Sequence, residues 1–195
     1  MINELILGIF GFHINNAMKK ILAFAGSNSS TSINHRFVTH VANRIQGHEV
    51  KVINLRDFEI PMYSIDKENE TGFPVDIRII KNLIEEHDAL IISVNEHNSS
   101  ISAFFKNIID WLSRLDRNFV ANKKILLMST SPGVRGAASS LEYLKGVLPR
   151  FGGQVIESFS FPSFNDNFEN DEIQNEVLNM GIEDVLTTFS HEIEG

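Results

Sequence analysis

Three polar segments hold most of the side chains in this chain that could do chemistry, and each follows an apolar run. The first spans residues 26–34, where Ser27, Asn28, Ser29, Ser30, Thr31, Ser32 and Asn34 surround Ile33. Its five hydroxyls can donate to phosphate oxygens without adding bulk. A helix starting there would also point unpaired N–H groups and a positive dipole end at an anion. The second spans residues 95–100, where Asn95, Glu96, Asn98, Ser99 and Ser100 mix donors with acceptors. Its His97 offers a flat ring able to stack on a planar ligand. The third spans residues 129–137 and contains Ser131, Gly133, Arg135 and Gly136. Two glycines after a strand permit positive φ and close approach of backbone to a ligand. Each loop also has a plainer reading. Ser32 or Thr31 could simply cap a helix, His97 could be an ordinary loop histidine, and the glycines could serve a tight turn. What gives the segments weight is their occurrence together.

The elements that must position these loops follow from apolar periodicity. Mostly apolar runs of strand length occur at residues 20–25, 49–54, 89–94 and 124–129, with a shorter one at 154–157. Such runs mark strands covered on both faces, as in a parallel sheet flanked by helices. Between them lie helical stripes. One is Ile33, Phe37, Val38, Val41, Ala42 and Ile45, and a second is Ile77, Ile80, Leu83 and Ile84. A third is Ile101, Phe104, Phe105, Ile108, Ile109 and Leu112. Leu141, Leu144, Val147 and Leu148 make a fourth, stopped by Pro149 and the Gly152, Gly153 pair. A last helix carries Ile173, Val177, Ile182, Val185, Leu186 and Phe189, with Gly181 as its expected point of interruption. The alternation predicts an α/β fold: a flavodoxin-like three-layer sandwich on a five-stranded parallel sheet of order 2-1-3-4-5. The three loops then leave the carboxyl ends of strands one, three and four, where open parallel sheets bind ligands.

With 195 residues, one domain with a sizeable core is expected. Residues 1–17 carry no Lys or Arg and no apolar stretch of spanning length, so neither a secretory signal nor a membrane span is read there. They are taken as an extension outside the core, and residues 18–195 as the domain. A net charge of −8 argues against general binding to nucleic acid or an anionic membrane. With no cysteine there is no disulfide, thiolate metal site or cysteine nucleophile, which fits a reducing cytoplasm. The chain contains no G-x-x-x-x-G-K-[ST], G-x-G-x-x-G, G-x-S-x-G or H-E-x-x-H pattern, so triphosphatase, dinucleotide-fingerprint, serine-hydrolase and zincin readings fall away. No metal site is expected. The acidic stretch at residues 165–172 reads as a solvated loop and helix start.

Taken together, the loops resemble those of the NADPH-dependent FMN reductase family, flavodoxin-like flavoproteins that include quinone, azo-dye and chromate reductases. The family's first loop reads G-S-x-R-x-x-S-x-N, matched here by Gly26, Ser27, Ser32 and Asn34. Its second reads P-E-Y-N-x-S-x-P followed by x-x-L-K-N-x-x-D-W. Glu96, Asn98, Ser100, Lys106, Asn107, Asp110 and Trp111 match it. The third loop is similar to the family's S-x-G-x-x-G turn through Ser131, Gly133 and Gly136.

The resemblance implies an oxidoreductase that passes hydride from NAD(P)H through FMN to a small acceptor, as a cytoplasmic homodimer or homotetramer. It implies that Ser27, Ser32 and Asn34 hold the FMN phosphate, with Ser29 and Ile33 in the same cofactor-binding set. Asn95, Glu96, His97 and Asn98, with Ser131, Gly133 and Gly136, would cradle the isoalloxazine. No protein residue is assigned to acid–base catalysis, since the flavin carries the chemistry. Four positions depart from the pattern: Ser29 stands for the usual Arg, His97 for Tyr, Asn95 for Pro and Ser102 for the later Pro. Losing the Arg removes a fixed positive charge, which keeps open a second reading, a flavodoxin-like binding protein without turnover. On the helix after the second loop, Lys106 and Asp110 are spaced for a surface ion pair. Trp111 lies off the apolar stripe and is expected at a helix edge or subunit contact.

Overall fold

Strands form where the apolar runs are. In this computed structural model, which describes residues 17–195, the strands in chain order are β1 (Lys20–Ala25), β2 (Glu49–Ile53), β3 (Ala89–Val94), β4 (Glu96–His97), β5 (Ser100–Ile101), β6 (Lys124–Thr130), β7 (Gln154–Phe161), β8 (Phe168–Glu169) and β9 (Glu172–Ile173). The helices are α1 (Ile33–Ala42), α2 (Ile65–Thr71), α3 (Val75–Glu86), α4 (Ala103–Leu115), α5 (Ala138–Val147), α6 (Phe164–Asn167) and α7 (Glu176–Glu194). The extension expected at residues 1–17 lies outside the described residues, apart from Ala17.

The main sheet runs β2-β1-β3-β6-β7 with every pairing parallel. Counting only these five strands, this is the expected order 2-1-3-4-5. Side chains alternate along each strand, and the alternation makes two cores. Leu22, Phe24, Leu90, Ile92, Ile125 and Leu127 join the apolar side chains of α3, α4 and α5 on one face. Ile21, Ala23, Ala25, Ala89, Ile91, Leu126 and Met128 join those of α1 and α7 on the other. The alanines of this second set belong to β1 and β3, the strands that α1 crosses. Small residues there leave room for Phe37 and Val38, both fully buried.

Several elements differ from the expectations. β7 continues past 157 to Phe161, because Ser158, Phe159, Ser160 and Phe161 alternate along an edge strand rather than forming an apolar run. Its register with β6 shifts between Ile125 and Leu126, which leaves Ile156 without a counterpart, as in a β-bulge. Helix α7 runs unbroken through Gly181. There the missing side chain admits the Phe159 ring, whose nearest atom would lie 2.7 Å from a Cβ. Trp111 is no edge residue. It is fully buried, donates from Nε1 to the Pro61 carbonyl at 2.8 Å, and meets the rings of Tyr63 and Phe73 edge-on. Asn107 accepts from the Tyr63 N–H at 2.7 Å and donates to Pro61 O at 2.9 Å, so α4 anchors the segment before α2. Lys106 and Asp110 form the expected pair at 2.5 Å. The acidic stretch folds as α6 and the β8–β9 hairpin, where Asp171 pairs with Arg36.

Candidate functional site

The first loop leaves β1 and turns into α1. Ser32 is the cap of that helix, its hydroxyl accepting from the His35 N–H at 3.1 Å. Ser27 accepts from the Ser29 N–H at 3.3 Å, and Ser29 from the Thr31 N–H at 3.2 Å. As an acceptor in its turn, the Ser27 hydroxyl keeps its own hydrogen for a ligand, while Ser29 Oγ also shares a hydrogen bond with Thr31 Oγ1 at 3.3 Å. The first two helical N–H groups, of Ile33 and Asn34, have no acceptor within α1 because of where they stand.

Asn34 departs from its expected role. Its buried side chain faces inward: Oδ1 accepts from Ser93 Oγ at 2.8 Å and from the Thr130 N–H at 3.1 Å, while Nδ2 donates to Thr130 O at 3.0 Å. The amide thus staples α1 to the ends of β3 and β6. Asn34 can offer a phosphate its backbone N–H, while its carboxamide is engaged beneath the loops.

The second loop is a hairpin. β4 and β5 pair antiparallel around Asn98 and Ser99, both with positive φ (53° and 61°), as a two-residue type I′ turn requires. Asn95 Nδ2 lies 3.2 Å from His97 Nε2, and Asn95 Oδ1 is shielded from solvent without a hydrogen-bond partner. Glu96 turns the other way. Its Oε2 accepts from the N–H groups of Ser139 at 2.9 Å and Ser140 at 3.1 Å, at the start of α5.

The third loop is held from below. Ser129 Oγ donates to Gly136 O at 2.6 Å and Ser160 Oγ to the same oxygen at 3.0 Å. The N–H groups of Ser163 and Phe164 donate to the Gly133 and Ser131 carbonyls, each at 3.0 Å. Gly136 has φ 55°, and a Cβ there would stand 2.5 Å from Ser160 Oγ, so only glycine fits this underside.

The three loops enclose an open cleft of ≈ 200 Å³ at the carboxyl ends of β1, β3 and β6. Of the expected residues, the cleft brings together Ser27, Ser29, Ser32, Ile33 and Asn34 from the first loop, Asn95, Glu96 and His97 from the second, and Ser131 from the third. Asn98, Gly133 and Gly136 are not among its lining residues: Asn98 sits in the exposed hairpin turn, and the glycines shape the loop beneath. Thr31, Thr130 and Pro132 line it and were not in the expected set; each directly neighbours or lies between expected residues, the only signal available. No lining residue is Lys or Arg.

A larger groove of ≈ 800 Å³ runs along α1 toward β8–β9 and α7, but its cations are committed. Arg36 pairs with Asp171 at 3.0 Å, and Arg44 with Glu183 and Asn179. Burial holds His40 below its ordinary pKa of 6.5, outweighing the bond from its ring to Asp171 O.

The donors and acceptors of the smaller cleft fit a flavin mononucleotide. Free N–H groups and hydroxyls suit its phosphate, and the orphaned Asn95 oxygen suits an N–H on its ring edge. The profile of the NADPH-dependent FMN reductases matches residues 19–166. The chain belongs to that family. Quinone reductase of Escherichia coli K12 is 33% identical over 129 residues, 66% of this chain and 69% of that protein. An NAD(P)H-dependent FMN reductase of Pseudomonas aeruginosa is 28% identical over 130 residues, 66% and 69% of the two chains. Among solved structures, the flavoenzyme NAD(P)H:(acceptor) oxidoreductase FerB of Paracoccus denitrificans superposes with a TM-score of 0.77 at 25% identity. The match covers 91% of this chain and 98% of FerB. Family and fold make this member an FMN-dependent NAD(P)H oxidoreductase. No helix among the described residues is long and apolar enough to cross a membrane.

Proposed function

We propose that this chain reduces small quinone-class acceptors with electrons from NAD(P)H, holding FMN in the cleft between its three loops. The observation that carries the reading is that polar groups stand at both ends of that cleft, around an apolar middle that includes Ile33 and Pro132. The α1 terminus presents the free N–H groups of Ile33 and Asn34 and the hydroxyls of Ser27 and Ser29. The hairpin contributes Asn95, whose shielded Oδ1 has no partner, and the ring of His97 to the lining. When bound, FMN supplies the redox chemistry, taking hydride from reduced nicotinamide and returning electrons to the acceptor. The protein binds and orients. Ser27, Ser29 and the α1 N–H groups hold the phosphate, Asn95 takes a donor on the ring edge, and His97 and Ser131 flank the ring.

Homologues named quinone reductase support a quinone-class acceptor. Exposed Met62, Val75 and Ile79 around α2 and α3 support a homodimer or homotetramer, which sedimentation of the purified chain checks. We place it in the cytoplasm, and we read residues 18–195 as the working domain. A chain begun at Met18 should therefore keep its fold and its FMN affinity.

The functional test is titration with FMN followed by flavin quenching, then anaerobic NADPH and a soluble benzoquinone. Saturable binding, bleaching by NADPH and recovery of absorbance on adding quinone support the reading. A protein that takes up no FMN supports instead the binding protein without turnover, which the lack of a cation in the cleft favours.

A further inference from the structure

Helix α5 lacks a cap of its own. It follows Gly136 at φ 55° and Ala137 at φ 64°, two successive left-handed residues, and no side chain at its N-cap accepts a hydrogen bond. A conventional cap needs extended backbone and a short polar side chain; Ala137 has neither. The acceptor comes from 43 positions earlier in the chain, where Glu96 Oε2 takes the N–H groups of Ser139 and Ser140. A carboxylate suits this place, since charge strengthens both bonds and the helix dipole favours a negative group.

We propose that Glu96 is a positioning residue for the FMN cleft, clamping the second loop to the third so that Asn95 and His97 face the ligand. The proposal rests on reading that cleft as the FMN site. Its logic is the two-residue period of an extended strand. Neighbours of Glu96 on either side project to the opposite face: all three residues line the cleft, but with the Glu96 carboxylate drawn down onto α5, Asn95 and His97 stand together on the other face, 3.2 Å apart. A slip of one residue would exchange the faces. The hairpin is tied at two further points: β3 is in the main sheet, and Ser102 Oγ donates to Gly26 O at 2.8 Å. Glu96 supplies the tie to the third loop, because α5 starts where that loop ends. One carboxylate thereby fixes the relative placement of two loops that converge on the cleft.

The test compares Glu96→Ala, Glu96→Gln and the control Glu142→Gly, which weakens α5 at an exposed position away from the cleft. Two quantities are read: the FMN dissociation constant by flavin quenching, and amide hydrogen exchange of the FMN-free protein. For E96A we expect about tenfold weaker FMN binding, ordinary for coupling between two sites. Exchange should rise together in residues 95–101 and in the first turn of α5. E96Q, which keeps one acceptor oxygen, should recover most of the affinity, and E142G should lower thermal stability without changing it. If E96A does not fold, E96Q carries the test, with affinity between wild type and a fewfold weaker and exchange raised in both segments. Unchanged FMN affinity in a destabilised E96A, or faster exchange confined to α5, overturns the proposal and leaves Glu96 a cap. If wild type itself binds no FMN, the reading of the cleft fails, and the exchange pattern still decides whether Glu96 couples the loops.

Discussion

Replacing Asn34 with alanine separates a staple from a ligand. In the native protein this carboxamide makes three hydrogen bonds, to Ser93 Oγ, Thr130 N–H and Thr130 O, across buried strand ends. Alanine removes all three and strands their partners in a region closed to water. Each buried group left without a partner costs about 1–3 kcal/mol, and the three share one site, so a total of about 3–4 kcal/mol is expected. For a domain of this size each kcal/mol moves the melting temperature by about 2–4 °C, which places N34A roughly 6–16 °C below wild type. The α1 N–H of residue 34 survives the substitution, so the FMN dissociation constant, measured well below the melting range, should rise only a fewfold. Thermal melts of the FMN-free protein and quenching titrations at low temperature read the two quantities separately. A variant that melts within about 2 °C of wild type but loses FMN affinity by a hundredfold would refute the reasoning and restore Asn34 as a direct phosphate ligand.

Ser29→Arg adds the cation that the cleft lacks. A charged bond of about 1.5–3 kcal/mol should tighten FMN binding about tenfold or more, with the gain shrinking as salt is raised; equal affinity at low salt would show that position 29 does not face the phosphate. His97→Tyr enlarges the ring beside the flavin and should tighten binding severalfold, whereas His97→Ala should weaken it by a similar factor, since ring pairs are worth about 0.5–1.5 kcal/mol. Two flat responses would remove His97 from the site. His40 gives a pH signature. Its folded pKa lies below the ordinary 6.5 because burial disfavours the charged form. The unfolded chain therefore takes up the proton first, and the stability contributed by neutral His40 is lost as pH falls below that ordinary value toward the folded one. Melting temperatures of wild type and His40→Gln, compared from about pH 8 to about pH 5, should differ in slope across that window. Parallel curves would count against a half-buried imidazole held neutral.

The fold was largely legible in the sequence because its governing signal is simple. β1 and β3 begin and end where their apolar runs do, since strands covered on both faces are almost wholly apolar and a polar residue such as Ser93 needs a buried partner. The edge of the sheet was harder to read: the second half of β7 is an alternating, half-buried segment, and only its first residues look like a run. Helix α2 escaped notice because none of its residues is buried, so it leaves no stripe. The β4–β5 and β8–β9 hairpins have two-residue strands, too short for any period; their signal lay in Asn98 with Ser99 and Asn170 with Asp171, pairs whose side chains tolerate positive φ. Trp111 sits off the stripe of α4 because a second surface, the segment carrying Pro61 and Tyr63, packs on that flank. At the cleft, motif spacing located the loops but not the direction of each side chain. The inward turn of Asn34 depends on Ser93 and Thr130, 59 and 96 positions away, and that of Glu96 on a helix that starts without a cap. Such partners become visible only when the chain is folded.

On the proposed reading, the cleft meets the FMN phosphate with backbone dipoles and hydroxyls, since no lining residue is Lys or Arg. These groups respond identically to oxidised and reduced flavin, since the phosphate does not change between them. Discrimination between the two redox forms then falls on the ring end, on Asn95, His97 and the third loop. By thermodynamic linkage, any difference in affinity there is also a displacement of the bound flavin's midpoint potential, with tenfold tighter binding of one form equal to about 30 mV for two electrons. On that reading, the hairpin proposed to orient the ring is also the place where this chain would set how strong a reductant its flavin becomes.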